Sequence, residues 1–166
     1  MSQLKVNSII PVAGVPTGGG GGIVQIVNST TETQASTTST SYTDTGLSVS
    51  ITPTSSSSKV LILVSQAYRL RNTSGSATGA DIRLVRGSTE IVKGPENYGI
   101  WFASSGSSVD YFQRINYHYL DSPATTSATT YKTTFAVYTS ASEMNVQPYA
   151  TNSSGTGYIT AMEVSG

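Results

Sequence analysis

Cysteine is missing from this 166-residue chain. Its absence excludes disulfides and thiolate metal sites, so durability has to come from packing or from association of copies. Charge is scarce: Asp, Glu, Lys and Arg make up 11% of the residues, against about 25% in an average soluble domain. Nine basic residues balance nine acidic ones, which leaves no electrostatic footprint for nucleic acid. Histidine occurs once, as His118, so any Ser-His-Asp constellation would have to be built on it, and zinc would lack ligands. His118 sits between Tyr117 and Tyr119 on an expected strand and reads as a solvated or interface residue. There is no G-x-S-x-G elbow. Long apolar runs are missing too. The longest purely aliphatic stretch is Val60 to Val64, far below the roughly 20 residues of a membrane helix, and no membrane insertion is expected. Ile9 to Val15 is broken by Pro11 and Gly14 and is too short for the apolar part of a secretory signal. No sustained helical stripe occurs anywhere. Acids that could offer oxygen to calcium exist in Asp81, Glu90, Glu96, Asp110 and Asp121, without EF-hand or repeated Asp/Gly spacing. A non-enzymatic protein with no cofactor, catalytic or metal set is therefore expected.

What is present is Ser, Thr, Gly and Tyr. Short hydroxyl side chains compete for the backbone in helices and suit strands and turns. Period-two alternation places Leu47, Val49 and Ile51 on one face and Ser48 and Ser50 on the other. Tyr131, Thr133, Phe135 and Val137 share a face in the same way, as do Tyr111, Gln113, Ile115, Tyr117 and Tyr119. Gly87-Ser88 between Ala80–Arg86 and Thr89–Val92 is a hairpin signature. Val60 to Val64 is apolar at every position, which fits a strand buried on both faces or a strand used in an oligomer. Residues 94–108 are expected to be irregular, and 72–79 to form a loop. Roughly eight to ten strands with turn signals between them, and no intervening helices, predict an all-β fold: an antiparallel β-sandwich of jelly-roll type. The ten Tyr against three Phe suit surfaces that are packed on one side and wet on the other. The tyrosines of residues 111–119 could form a core layer or a subunit contact.

Residues 1–22 differ from the rest. Leu4, Val6, Ile9, Ile10, Val12 and Val15 are apolar without a helix or strand period, and Gly18 to Gly22 follow as an unbroken run. Such a run bridges about 12 Å as flexible coil. Residues 1–22 are expected to be an extended anchoring arm with a glycine linker, and 23–166 a β-sandwich head. A second candidate site is the aromatic stretch around Asn97, Tyr98, Trp101 and Phe102, whose ring faces and polar neighbours suit a sugar. The same aromatics could instead plug one end of the sandwich or a subunit interface.

The run Met1-Ser2-Gln3-Leu4-Lys5-Val6-Asn7-Ser8-Ile9-Ile10, continued by Pro11 to Pro16 and the glycines, resembles the N-terminus of tail-fibre-like virion proteins of cyanophages and other marine tailed phages. So do Leu47 to Pro53 leading into Lys59-Val60-Leu61-Ile62, Ile82 to Thr89, and Tyr158 to Val164. The resemblance implies a homotrimer in the extracellular phage particle. It also implies an N-terminal peptide that fixes the chain to other virion proteins of the tail, baseplate or capsid through residues 1–16, and a sandwich head facing outward to a host-surface glycan. A capsid decoration protein, of cement or head-fibre type, is the alternative, with the arm clamping the shell.

Overall fold

The computed structural model describes residues 22–72, 77–93, 99–102, 108–149 and 155–166, with the side chain of Phe102 excepted. Among the described residues the chain forms eleven strands and no helix. They are β1 (Ile23–Thr31), β2 (Ala35–Thr37), β3 (Thr43–Ile51), β4 (Lys59–Asn72), β5 (Thr78–Arg86), β6 (Thr89–Val92), β7 (Ile100–Phe102), β8 (Val109–Asp121), β9 (Thr129–Val137), β10 (Ser142–Val146) and β11 (Gly157–Val164). All pairings are antiparallel.

Two sheets result. In sheet A the long strand β4 is the axis. Along one side it pairs with β8 over nearly its whole length, Val60↔Asp121 through Asn72↔Val109. Its other side is shared end to end by β11 and β10, which are flanked in turn by β1 and β2. Sheet B runs β3-β9-β5-β6, with β7 on the far part of β5. The chain changes sheet after β2, β3, β4, β7, β8 and β9, the interleaved Greek-key path of a jelly roll. This is the fold class the alternation predicts.

Local chemistry sets two of the bends. Gly46, at φ +83°, lies where the β3–β9 register slips between Asp44 and Ser48, a left-handed conformation that a Cβ disfavours. Gly87, at φ +58°, occupies the first central position of the two-residue β5–β6 turn, where hairpin twist asks for positive φ.

The inner faces of the two sheets form the core, each fully buried aliphatic or aromatic side chain contributing about 1.5–3 kcal/mol. One cluster gathers Leu47, Val49, Ile51, Val60, Ile62, Val64, Leu84, Tyr131, Ile159 and Ala161. A second gathers Tyr68, Leu70, Ala80, Ile82, Ile100, Phe135, Val137, Met144 and Val146. Between them lies a polar seam. Gln66 separates Val64 from Tyr68 along β4, and Thr133 separates Tyr131 from Phe135 along β9. Thr133 Oγ1 donates to Gln66 Oε1 at 2.9 Å and lies 2.5 Å from Thr45 Oγ1. Tyr117 spans both clusters, its hydroxyl donating to the Ile82 carbonyl at 2.5 Å. Burial pushes that hydroxyl up to about 12, so it stays a donor. The tyrosines of β8 thus divide: Tyr117 belongs to the core, while Tyr111 and Tyr119 remain exposed.

Several boundaries differ from the sequence expectation. The segment expected to be irregular contains β7, because residues 100–102 find a ladder on β5. Thr78 and Gly79, expected in a loop, already belong to β5. Strand β2 was not foreseen; its three residues are held by β10 rather than by any pattern of their own.

Candidate functional site

Strand β7 positions the aromatic candidate. Ile100 points inward and joins the core, so the next residue, Trp101, must point outward from sheet B. It stands opposite Gly79 on β5, where no side chain competes for the space. On the other side of Gly79 is Tyr138, whose backbone N–H donates to the Gly79 carbonyl at 2.7 Å. The two rings close over that glycine, with centroids 5.5 Å apart and planes at 77°, the edge-to-face arrangement that aromatic quadrupoles favour. Both remain substantially exposed, Trp101 at 44% and Tyr138 at 39%. The pair offers a ring face beside a phenol, and a pyranose can lay its C–H face on the one and hydrogen-bond to the other.

Two residues along β5 on the same face lies Asp81, buried at 1% exposure. Its carboxylate accepts from the Tyr42 hydroxyl at 2.8 Å and has the Arg83 guanidinium 3.6 Å away. Arg83 lies over the Tyr42 ring and pairs with Glu90 at 2.6 Å, and Glu90 in turn meets Lys93 at 3.5 Å. Burial pushes the Asp81 carboxyl above its usual range, opposed by the Tyr42 hydrogen bond, the Arg83 charge and the Ile82 backbone N–H. Burial, then Asp81, pushes the Tyr42 phenol up as well. This network fixes the segment before β3 against β5, and its carboxylate is not open to a ligand.

The other candidates are distributed as follows. Asn97 and Tyr98 lie outside the described residues, as do Leu4, Val6, Ile9, Ile10, Val12 and Val15. Phe102 ends β7 opposite Thr78. Trp101 is thus a strand residue, not a loop residue. Of the acids considered for calcium, Glu96 is outside the described residues and each of the other four faces an arginine. Besides the Asp81 and Glu90 pairs with Arg83, Asp110 meets Arg69 at 2.9 Å and Asp121 meets Arg86 at 2.8 Å. His118 is exposed on the outer face of sheet A. Tyr138 was missed as a partner of Trp101. The alternation of β9 puts it outward, but nothing in the sequence brings it to a strand as distant as β7.

No known protein family matches the chain, and no curated protein matches it. Among solved structures, the infectious bursal disease virus VP2 subviral particle aligns with 12% identity and a TM-score of 0.37, over 86% of this chain and 39% of that one. Particles of T=1 type derived from infectious bursal virus align with 13% identity and a TM-score of 0.35, over 85% and 36%. The Gx strain of infectious bursal disease virus gives 13% identity and a TM-score of 0.35, over 84% and 38%. The chain spans well under half the length of the structures it matches.

Proposed function

We propose that the chain is a non-enzymatic structural protein of a phage virion. In this reading it is a homotrimeric, tail-fibre-like protein held to other virion proteins by residues 1–16, with its sandwich displayed for host-glycan recognition. What supports the reading is the two-sheet antiparallel sandwich with an exposed aromatic pair, Trp101 and Tyr138, on its outer surface, together with the six apolar residues Leu4, Val6, Ile9, Ile10, Val12 and Val15, which follow no helix or strand period. The sequence resemblance supplies the setting, a virion. The Trp101–Tyr138 pair supplies the recognition chemistry.

Deletion of residues 1–21 tests the anchor. The truncated chain is expected to fold and stay out of the particle; its incorporation at the full-length level overturns the reading. A glycan array on the isolated protein tests recognition. Trp101→Ala is expected to abolish any binding seen, and binding that survives it removes the aromatic pair from the site. Copy number separates fibre from decoration: a count matching the capsid lattice assigns the protein to the shell.

A further inference from the structure

Along one side of β4 the ladder is interrupted. β11 leaves it at Ser65 and β10 joins it at Tyr68, with Gln66 and Ala67 between them. At this gap Gln147 donates its backbone N–H to the Ala67 carbonyl at 3.0 Å, and residues 147–149 turn over the outer face of sheet A. Ala67 faces outward by alternation with Gln66 and Tyr68, yet it is only 8% exposed; its small side chain leaves room for the turn. The turn carries Tyr149 across β4 to Phe112 on β8, with ring centroids 5.9 Å apart and planes at 30°. Beside the rings lies a hollow of about 310 Å³, bordered by Ala67, Pro148, Gln113 and Arg114.

The turn is held against its own preferences. Gln147 and Tyr149 have φ of +51° and +56°, in the left-handed region that a Cβ disfavours. The Gln147 side chain is fully buried, and neither its Oε1 nor its Nε2 has a hydrogen-bond partner among the described residues. A Cβ on Gly155 would run into the Pro148 carbonyl, so bare backbone packs against the turn there. Strain of this kind persists where the surroundings impose it, and it gathers at ligand sites. What the turn presents is aromatic surface: Tyr149 is 61% exposed and Phe112 46%. A turn made only for packing would bury those rings. The polar rim is fixed as well. Arg114 Nη1 donates to Ser65 Oγ at 3.3 Å and to the Thr156 carbonyl at 3.0 Å, and its guanidinium lies 5.7 Å from the centre of the Tyr158 ring. Arg69 lies over Phe112 at 5.8 Å, its charge met by Asp110 at 2.9 Å.

We propose that Phe112, Tyr149 and Arg114 form a second saccharide site, on sheet A, that takes a neutral pyranose. The inference rests on the glycan recognition in the functional reading and adds a site on the opposite face from Trp101. An exposed ring face receives the C–H side of a pyranose, while the planar Arg114 guanidinium and Gln113 amide at the rim suit its hydroxyls. The hollow is at the low end of small-ligand sites, about 300–1,000 Å³. It takes one sugar ring and leaves the rest of a chain in solvent. A nucleotide would bring a flat ring too, but with a phosphate. Arg69 and Arg71, opposite Phe112 and Asp110 on β4, both pair with Asp110. Phosphate therefore lacks the basic row that nucleic acid needs, and an uncharged ring rich in hydroxyls fits the face.

Side-chain NMR of the full chain, titrated with maltohexaose, cellohexaose and mannohexaose, tests this, because the Trp101 indole and the Arg114 Nε–H report the two faces separately. At least one of these saccharides is expected to shift the Arg114 signal. Tyr149→Asn removes the ring and suits the left-handed backbone. It is expected to weaken the binding read at Arg114 about tenfold, as truncating an aromatic anchor does, and to leave Tm unchanged or higher. Phe112→Thr removes the other ring with a residue that suits strands, and the same loss is expected. Circular dichroism checks that both keep their strands; should one not fold, the other carries the test. Wild-type affinity at Arg114 in either folded variant overturns the inference, as does an Arg114 signal that no hexasaccharide moves. Adenosine monophosphate moving Arg114 where the saccharides do not assigns the rings to base stacking and also overturns it. Saccharide shifts confined to the Trp101 indole would remove this site and keep the glycan reading. Shifts confined to Arg114 would keep this site and take the Trp101–Tyr138 pair out of recognition.

Discussion

The polar seam between the two halves of the core allows a sharp test. Thr133→Val keeps the shape of the side chain and opens no cavity. It removes the hydroxyl that donates to Gln66 Oε1 at 2.9 Å. Gln66 is fully buried, and its Nε2 has no hydrogen-bond partner among the described residues. The substitution therefore leaves both ends of a buried amide unpaired. An orphaned buried polar group costs about 1–3 kcal/mol, and for a chain of this length each kcal/mol moves Tm by about 2–4 °C. A loss of about 2 kcal/mol, or roughly 4–8 °C, is expected. Gln66→Met removes the amide altogether at nearly constant volume. Thr133 then still has the Thr45 hydroxyl at 2.5 Å, so this variant is expected to stay within about 1.5 kcal/mol of wild type. In the Gln66→Met background, Thr133→Val should cost little, giving a coupling of about 1–2 kcal/mol across the cycle. Urea unfolding at one fixed protein concentration, followed by Trp101 fluorescence and circular dichroism, measures all four proteins, provided their m values agree. A Thr133→Val cost that is the same in both backgrounds would falsify the reasoning.

Two further outcomes follow from charged groups at the rim of the core. Burial would raise the Glu163 carboxyl, but hydrogen bonds from Gln25, Ser58 and Thr54 outweigh it and hold the group down to about 2 from the usual 4.5. A folded-state value below the unfolded one stabilises above pH 4.5, and that contribution is lost as pH falls through about 2. Glu163→Gln is expected to flatten the acid limb of the stability curve in that window; an unchanged limb refutes the assignment. Tyr131 donates to Asp121 Oδ2 at 2.7 Å, beside two contacts from Arg86 at 3.0 and 2.8 Å. Tyr131→Phe leaves the ring packed and removes one hydrogen bond to a charged acceptor. A loss of about 1.5–3 kcal/mol in urea is expected, and an unmoved midpoint would show that Arg86 alone satisfies the carboxylate.

Much of the sandwich was legible because alternation is local. The inward sets Leu47-Val49-Ile51 and Tyr131-Thr133-Phe135-Val137 are as the period-two reading placed them. So is the Gly87-Ser88 hairpin, whose turn chemistry sits in two adjacent residues. Strands β2 and β7 were illegible for the opposite reason. Three residues carry no period, and what makes them strands is a partner far away in the chain. The run Val60 to Val64 was ambiguous until pairing was known. Val60, Ile62 and Val64 face the core, while Leu61 and Leu63 face out. The site was only half visible: Trp101 could be singled out by type, but Tyr138 reaches it solely through the path of β9 and β5.

The pairing of β1 with β11, from Ile23↔Val164 to Thr31↔Gly157, has a consequence for biosynthesis. β1 leaves the ribosome ahead of all the other strands described, yet its only ladder partner among the described residues is the last of these strands. Until β11 emerges, β4 also lacks its second neighbour along Lys59–Ser65, on the side away from β8. The nascent chain must therefore hold apolar strands with unpaired edges until β11 has been translated, and closure across so long a loop is slow, in the millisecond-to-second range of non-local β topologies. Stalled or prematurely terminated chains lacking β11 should accumulate with chaperones or in inclusion bodies, not as partly folded sandwiches.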